Sequence, residues 1–356
     1  MKMKKLAIYQ SDLKVGGIQR SLVNLLKSGY LNNYLVDVYL FDKDIFFDLT
    51  GIKDNIKIHY LKPLPYWYRM VPFPILNKFV KVDVDEQYDY VIDFDGYRQD
   101  CALYVIQHKK SNKIVWIHND IEKEYKYKLL YRILFFFFKR KFNLYDIVVG
   151  VSEGTIAPFK RMTKCEKKKY FVIPNIIDSN EIIEKSKSKC SFLVDKNKIN
   201  IICVGRICLQ KGYDYLLRDF KEAYSRNDKL RLYIVGDGPD KVRYENWVRS
   251  NKLDKVVIFT GNLQNPFSLE KEMDAFCMES RFEGQGIVFW EAKVLGLQVI
   301  FPKRLEKYNS GLYGTDNIIN ELAEMDKKEK NIDMLTEYHK NIQIKLTELL
   351  SSNAKK

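Results

Sequence analysis

The chain has 356 residues, with 60 Lys and Arg against 46 Asp and Glu (formal net charge +14), 46% apolar residues and 14% aromatic residues. That apolar content excludes a largely disordered protein, and the length calls for two cores rather than one. The positive balance points to anionic partners such as nucleotide phosphates, an acidic membrane surface or nucleic acid.

The first predicted element is a strand at KLAIYQ (Lys5 to Gln10), followed by a loop with Gly16 and Gly17 and a helix from about Ile18 to Ser28 with Leu22, Leu25 and Leu26 on one face. LVDVYLF, YDYVIDF, KIVWIH and YDIVVGVS continue as short, almost wholly apolar strands, the pattern of a parallel sheet covered on both faces. After VIPNIID, a Ser-, Lys- and Asn-rich stretch reads as an interdomain connection. INIICVG, a helix through Tyr213 to Ser225, LRLYIVG, a helix through Lys241 to Asn251, KVVIFTG, DAFCMES, a helix from Gly286 to Leu295 and QVIF then repeat the alternation. The tail from Lys327 to Ser352 reads as a helix with Ile332, Leu335, Ile342, Leu346 and Leu349 inward. The expectation is an α/β protein: a first Rossmann-like domain over 1–178, a linker over 179–199, a second Rossmann-like domain over 200–326 and a C-terminal helix over 327–356.

Other classes find little support. The cysteines are scattered, without a Cys-x-x-Cys pair or a ligand spacing shared with the four histidines, and read as free thiols. The apolar stretch after MKMKK is too short for a signal peptide, and no apolar run reaches the roughly 18 to 20 residues of a bilayer span, so a cytoplasmic location is expected. No zinc, helix-turn-helix or RNP-like signature supports nucleic-acid binding, which stays as an alternative resting on charge alone.

Parallel-sheet domains carry their working loops at the carboxyl ends of the strands. Gly16 and Gly17 either form only a tight turn or let bare backbone approach an anionic group at a helix N-terminus; the absence of GxGxxG weakens a dinucleotide reading. VGRICLQKG places Arg206 and Lys211 just past a strand end, as solvated surface charge or as a clamp on a diphosphate. IVGDGP with Gly236 and FTGNLQNPF with Gly261 end the next two strands in the same way. In ESRFEGQGIVFWEA, Gly284 and Gly286 open a helix, Glu283 precedes it and Glu291 lies one to two turns inside it. These carboxylates can accept hydrogen bonds from sugar and ribose hydroxyls; Glu291 can equally be a helix-face residue bonded to backbone. Asp93 and Asp95, and Asp83 and Asp85, form D-x-D patterns that fit strand-end turns better than a metal site.

Taken in order, GGIQR, VIPNIID, VGRICLQKG, IVGDGP, FTGNLQNP and D-x5-S-R-F-E-G-x6-E-A-x3-G resemble glycosyltransferase family 4, retaining nucleotide-sugar enzymes of the two-lobed GT-B fold, in which two Rossmann-like domains face each other across a cleft. The resemblance implies that Arg206 and Lys211 hold the donor diphosphate, Glu283 the transferred sugar and Glu291 the ribose, and that His118 of WIHND lies near the reaction centre; a strand-end histidine capping a helix is the alternative for His118. It implies no cofactor or metal beyond the donor, read as UDP-linked, and a saccharide or lipid-linked saccharide acceptor in bacterial surface polysaccharide assembly. A non-catalytic sugar-nucleotide-binding subunit would keep the same fold. After QVIFP the family's longer glycine-bearing loop is replaced by KRLEKYNSGLYGTDNI. KYKLLYRILFFFFKRKF and PLPYWYRMVPFPILNKF mix aromatic and basic residues, either as a core helix or as segments lying at the inner face of an anionic membrane.

Overall fold

A computed structural model describes residues 3–85, 87–165 and 168–352. Two compact units result: Met1–Ile176 with Glu337–Lys356, and Ile177–Thr336. Each is built on a wholly parallel sheet flanked by helices.

In the first unit, β1 (Lys4–Gln10), β2 (Tyr34–Leu40), β3 (Ile56–Tyr60), β4 (Tyr90–Asp93), β5 (Asn112–Ile117), β6 (Ile147–Gly150) and β7 (Lys169–Val172) run in the order β3-β2-β1-β4-β5-β6-β7. Alternate strand residues feed opposite cores, as the two-residue period of a strand requires. Leu6, Ile8, Ile92 and Val149 enter one cluster, while Ala7, Tyr9, Val91 and Val148 enter the other. The helix Gly17–Lys27 closes the first cluster with Leu22, Val23, Leu25 and Leu26, the face its sequence spacing predicts.

The expected C-terminal helix is shorter than its sequence suggests and belongs to the first unit. It spans Thr336–Ser351, and Ile342, Leu346, Leu349 and Leu350 join the core of β1 and β2. Lys4 Nζ donates to the Leu350 carbonyl at 2.6 Å, and Tyr338 Oη donates to that of Asn175 at 2.6 Å. Before it the backbone is not helical: Leu335 has φ +53° and Ile332 is exposed. Residues 353–356 of the expected tail lie outside the described residues.

The second unit orders β8 (Ile199–Val204), β9 (Leu230–Val235), β10 (Val257–Gly261), β11 (Ala275–Cys277) and β12 (Gln298–Ile300) as β10-β9-β8-β11-β12. The segment expected as a linker contains the helix Ser179–Ser186, whose first turn is capped by Asp178 accepting from the Glu181 amide at 2.9 Å. This helix packs on Phe267–Glu270 and Ile287–Val294, so it is part of the second unit. In both sheets the strand order reverses beside the first strand, between β1 and β4 and between β8 and β11. Such reversals are where open α/β sheets bind ligands.

Candidate functional site

At the carboxyl edge of the second sheet, three loops are stitched together through bare backbone. The Gly205 amide donates to Val235 O and the Gly236 amide to Gly261 O, both at 2.9 Å. Gly236 has φ +138°, and a Cβ there would stand 2.1 Å from the Gly205 carbonyl oxygen, so only glycine fits. Gly212 (φ +66°) is held likewise, 2.1 Å from the Glu279 carbonyl oxygen, which locks the loop after β8 to the loop after β11. Gly261 has φ +73° and open space where a side chain would stand.

Arg281 fastens this junction. Its guanidinium donates to both Asp214 carboxylate oxygens at 2.8 and 2.6 Å and to Leu209 O at 2.8 Å, while its amide donates to Gln210 O at 2.8 Å. The bidentate geometry is the strong form of such a pair. It holds the Asp214 carboxyl below its ordinary range. Arg304 ties the other side, donating to Glu279 O at 3.0 Å and Ser280 O at 3.2 Å.

On this frame the structure brings Lys211 and Glu283 together. Lys211 Nζ lies 2.8 Å from Glu283 Oε1, and Ser280 Oγ donates to the same oxygen. Burial works to lower the Lys211 pKa, but the charge and hydrogen bond of Glu283 outweigh it, so the ammonium is raised above its ordinary value. The Lys211 side chain passes over Gly205, next to Arg206. Arg206 is exposed, and among the described residues no carboxylate forms an ion pair with it. The edge therefore offers one solvated guanidinium and one anchored ammonium. Glu291 is buried within the helix Ile287–Val294, which starts at Gly286. The Gly286 amide donates to Asn309 Oδ1 at 3.1 Å, and a Cβ on Gly286 would collide with the Phe289 ring.

Glu279 is a further acid that sequence reasoning did not single out. Burial, aided by Asp219 and opposed by Arg304 and Arg218, pushes its pKa up to about 8. Its buried Oε1 has no hydrogen-bond partner among the described residues. Its place just after β11, a strand that borders the switch point, was the available signal.

The remaining candidates lie in the first unit. His118, just past β5, is buried beside Phe94 and Trp116. Burial lowers its pKa to about 3 against a hydrogen bond with the Phe94 backbone, so the imidazole is neutral. Its Nε2 is buried without a partner among the described residues. Gly16 precedes the helix Gly17–Lys27 with extended backbone, and Gly17 faces open space. Of the D-x-D residues, Asp93 is fully buried and accepts from Tyr145 Oη and, at 2.9 Å, from the Gly96 amide, with Lys141 Nζ at 3.9 Å. Asp95 accepts from the Arg98 amide at 3.3 Å, and Asp83 and Asp85 are exposed. Protein donors thus occupy the buried pair.

Residues 184–306 match the family model of glycosyl transferases group 1. The matched stretch lies within the second unit. Over 246 residues the chain is 27% identical to the uncharacterised glycosyltransferase MJ1059 of Methanocaldococcus jannaschii, covering 64% of this chain and 60% of that protein. It is 26% identical to the O-antigen biosynthesis glycosyltransferase WclY of Escherichia coli, over 59% of this chain and 60% of WclY. The chain thus matches about 60% of the length of these relatives. Across the whole chain, the structure of Anabaena HepE in complex with UDP and glucose superposes with a TM-score of 0.66 at 17% identity, covering 98% of this chain and 95% of HepE. The likeness is one of fold: two Rossmann-like units, the GT-B architecture.

Proposed function

We propose that this chain is a retaining glycosyltransferase of family 4. It moves a sugar from a nucleotide-sugar, UDP-linked in our reading, to a lipid-linked saccharide during assembly of a surface polysaccharide. The observation that carries the reading is the Lys211–Glu283 pair at the β8/β11 switch point of a group 1 domain, with Arg206 unpaired beside it. HepE, bound to UDP and glucose, supports the donor class, and the O-antigen role in the name of WclY supports the pathway class.

Breaking the anomeric C–O bond develops negative charge on the leaving diphosphate. Arg206 and Lys211 stabilise it, Lys211 from a position that Glu283 fixes and that needs no reorganisation at the moment of reaction. Glu283, already bonded to Lys211 and Ser280, has its second oxygen to orient a sugar hydroxyl, and Glu291 holds the ribose. His118, neutral and with an unsatisfied nitrogen, is suited to bond a hydroxyl without adding charge. The test is calorimetry with UDP combined with mass spectrometry of products on lipid-linked acceptors. Glu291→Ala should weaken UDP binding, whereas Glu283→Ala should lower turnover more than UDP affinity. Unchanged binding and turnover in both variants removes the assigned roles.

A further inference from the structure

We infer that the first unit carries a docking surface for an anionic lipid bilayer, formed by the outer face of the helix Leu129–Phe138 and the turn Tyr66–Met70 that packs against it. The helix is apolar on both sides. Its inner residues Phe135 and Phe138 sit in the core, yet Leu129, Leu130, Ile133 and Phe136 are 69%, 63%, 45% and 67% exposed. Residues 129, 133 and 136 share one stripe at helical spacing. A helix apolar all round is ordinarily covered on every side, so the outer stripe calls for an apolar medium. The adjoining turn adds Tyr66, Trp67 and Met70 at 72%, 62% and 48% exposure. Amphipathic aromatic rings of this kind favour the boundary between water and hydrocarbon.

Charge selects the occupant. No acidic residue occurs between Glu124 and Asp146 or between Asp54 and Asp83. Lys126, Arg132, Lys139 and Arg140 are exposed along and beside the helix, while Lys128 is paired with Glu124. A second copy docking by the same face would set this cationic patch against itself, because a two-fold interface pairs like with like. A surface of lipid phosphates matches it, each nearby cation adding to the attraction. The helix has ten residues, and among the described residues no helix is long and apolar enough to cross a membrane, so the segment lies in the interface plane.

One cation is placed to hold a headgroup. Arg69 lies 4.4 Å over the Tyr66 ring, and among the described residues no carboxylate forms an ion pair with it. It lines two cavities of about 390 and 310 Å3 that share Arg98 and Gln99; Asp12, Asp42 and Asp100 also line the first and Glu124 the second. Of these, Arg98 is committed to Asp100. Arg69 is therefore the guanidinium that remains for a lipid phosphate at the level of the exposed rings.

The inference does not rest on the sugar-transfer reading, and its test is run on the full chain without donor. The experiment is flotation with vesicles of phosphatidylcholine alone and of phosphatidylcholine mixed with phosphatidylglycerol, at low and high salt, with gel filtration and thermal melting alongside. The wild-type chain should float with the mixed vesicles at low salt, and much less with the neutral ones. The triple variant Leu129→Ser/Ile133→Ser/Phe136→Ser should lose binding by about tenfold or more, since it removes most of the inserted apolar area. Arg69→Ala should lose a smaller factor, confined to the anionic vesicles. Unchanged melting temperatures would show that these exposed positions leave the fold intact. Failure of the wild-type chain to float, equal flotation of the triple variant, or a dimer dissolved by the triple variant would each overturn the proposal.

Discussion

The two units share a topology and wire the same place oppositely. In each, the sheet reverses beside its first strand, and the loops there are drawn together by close backbone contacts. In the second unit the edge presents cations outward: Arg206 is solvated, and Lys211 is held by a single carboxylate. In the first unit the corresponding edge turns inward. Asp93 and Lys141 are both fully buried, with Tyr145 bonded to Asp93 and Arg98 to Asp100. The fold supplies the position, and the side chains decide whether it becomes a ligand seat or an internal brace.

Breaking each edge separates these roles. The largest effect is expected from Lys211→Ala, which strips the partner from a buried Glu283. Turnover should fall by about 10²–10³-fold, as for loss of a preorganised charge-stabilising donor, checked by steady-state kinetics with a UDP-sugar. Arg206→Ala should cost about 1.5–3 kcal/mol in UDP affinity while leaving uridine binding unchanged. Calorimetry with both ligands checks this, and equal losses contradict a diphosphate role. In the first unit, Tyr145→Phe deprives Asp93 of a donor and should lower stability by about 1–3 kcal/mol without altering UDP affinity. Denaturant unfolding and calorimetry read the two arms, and a matching loss of UDP affinity would erase the contrast.

A separate effect, on stability rather than on binding, concerns pH. Glu279 titrates near 8 in the folded protein against 4.5 in the unfolded chain. Between these values the folded state keeps a proton that the unfolded state releases, so stability is full below pH 4.5 and declines as pH rises towards 8. Glu279→Gln should flatten that decline. Urea unfolding at pH 5, 6.5 and 8 measures it, and an identical slope in the variant rules Glu279 out as its source.

Much of this was legible in the sequence because parallel strands buried on both faces read as short apolar runs, and because Gly-bearing loops punctuate them. INIICVG and LRLYIVG reappear as β8 and β9, and Arg206, Lys211 and Glu283 were already placed just past strand ends; that those strands, β8 and β11, are neighbours is seen only in the sheet. The less apolar strands escaped notice: β3 (IKIHY) and β7 (KYFV) lie at the sheet edges, where burial is incomplete. Composition misled at residues 179–199, where Ser and Lys suggested a tether although Ser179, Ile182 and Ser186 form the inner face of a helix. Arg281 was hidden for another reason. Its partners Leu209, Gln210 and Asp214 are about seventy positions away, and no local pattern reports a long-range bidentate pair.

The return of residues 337–351 to the first unit bears on biosynthesis. A polypeptide emerging from the ribosome completes the seven strands of that unit early, but the part of the core over β1 and β2 that the helix Gly17–Lys27 leaves open stays uncovered until the whole intervening unit has been made. Seating Leu346 and Leu349 then joins residues more than 300 positions apart in the chain. During that interval the second unit, contiguous in sequence, is free to mature alone, which makes it the part of the chain most suited to expression in isolation.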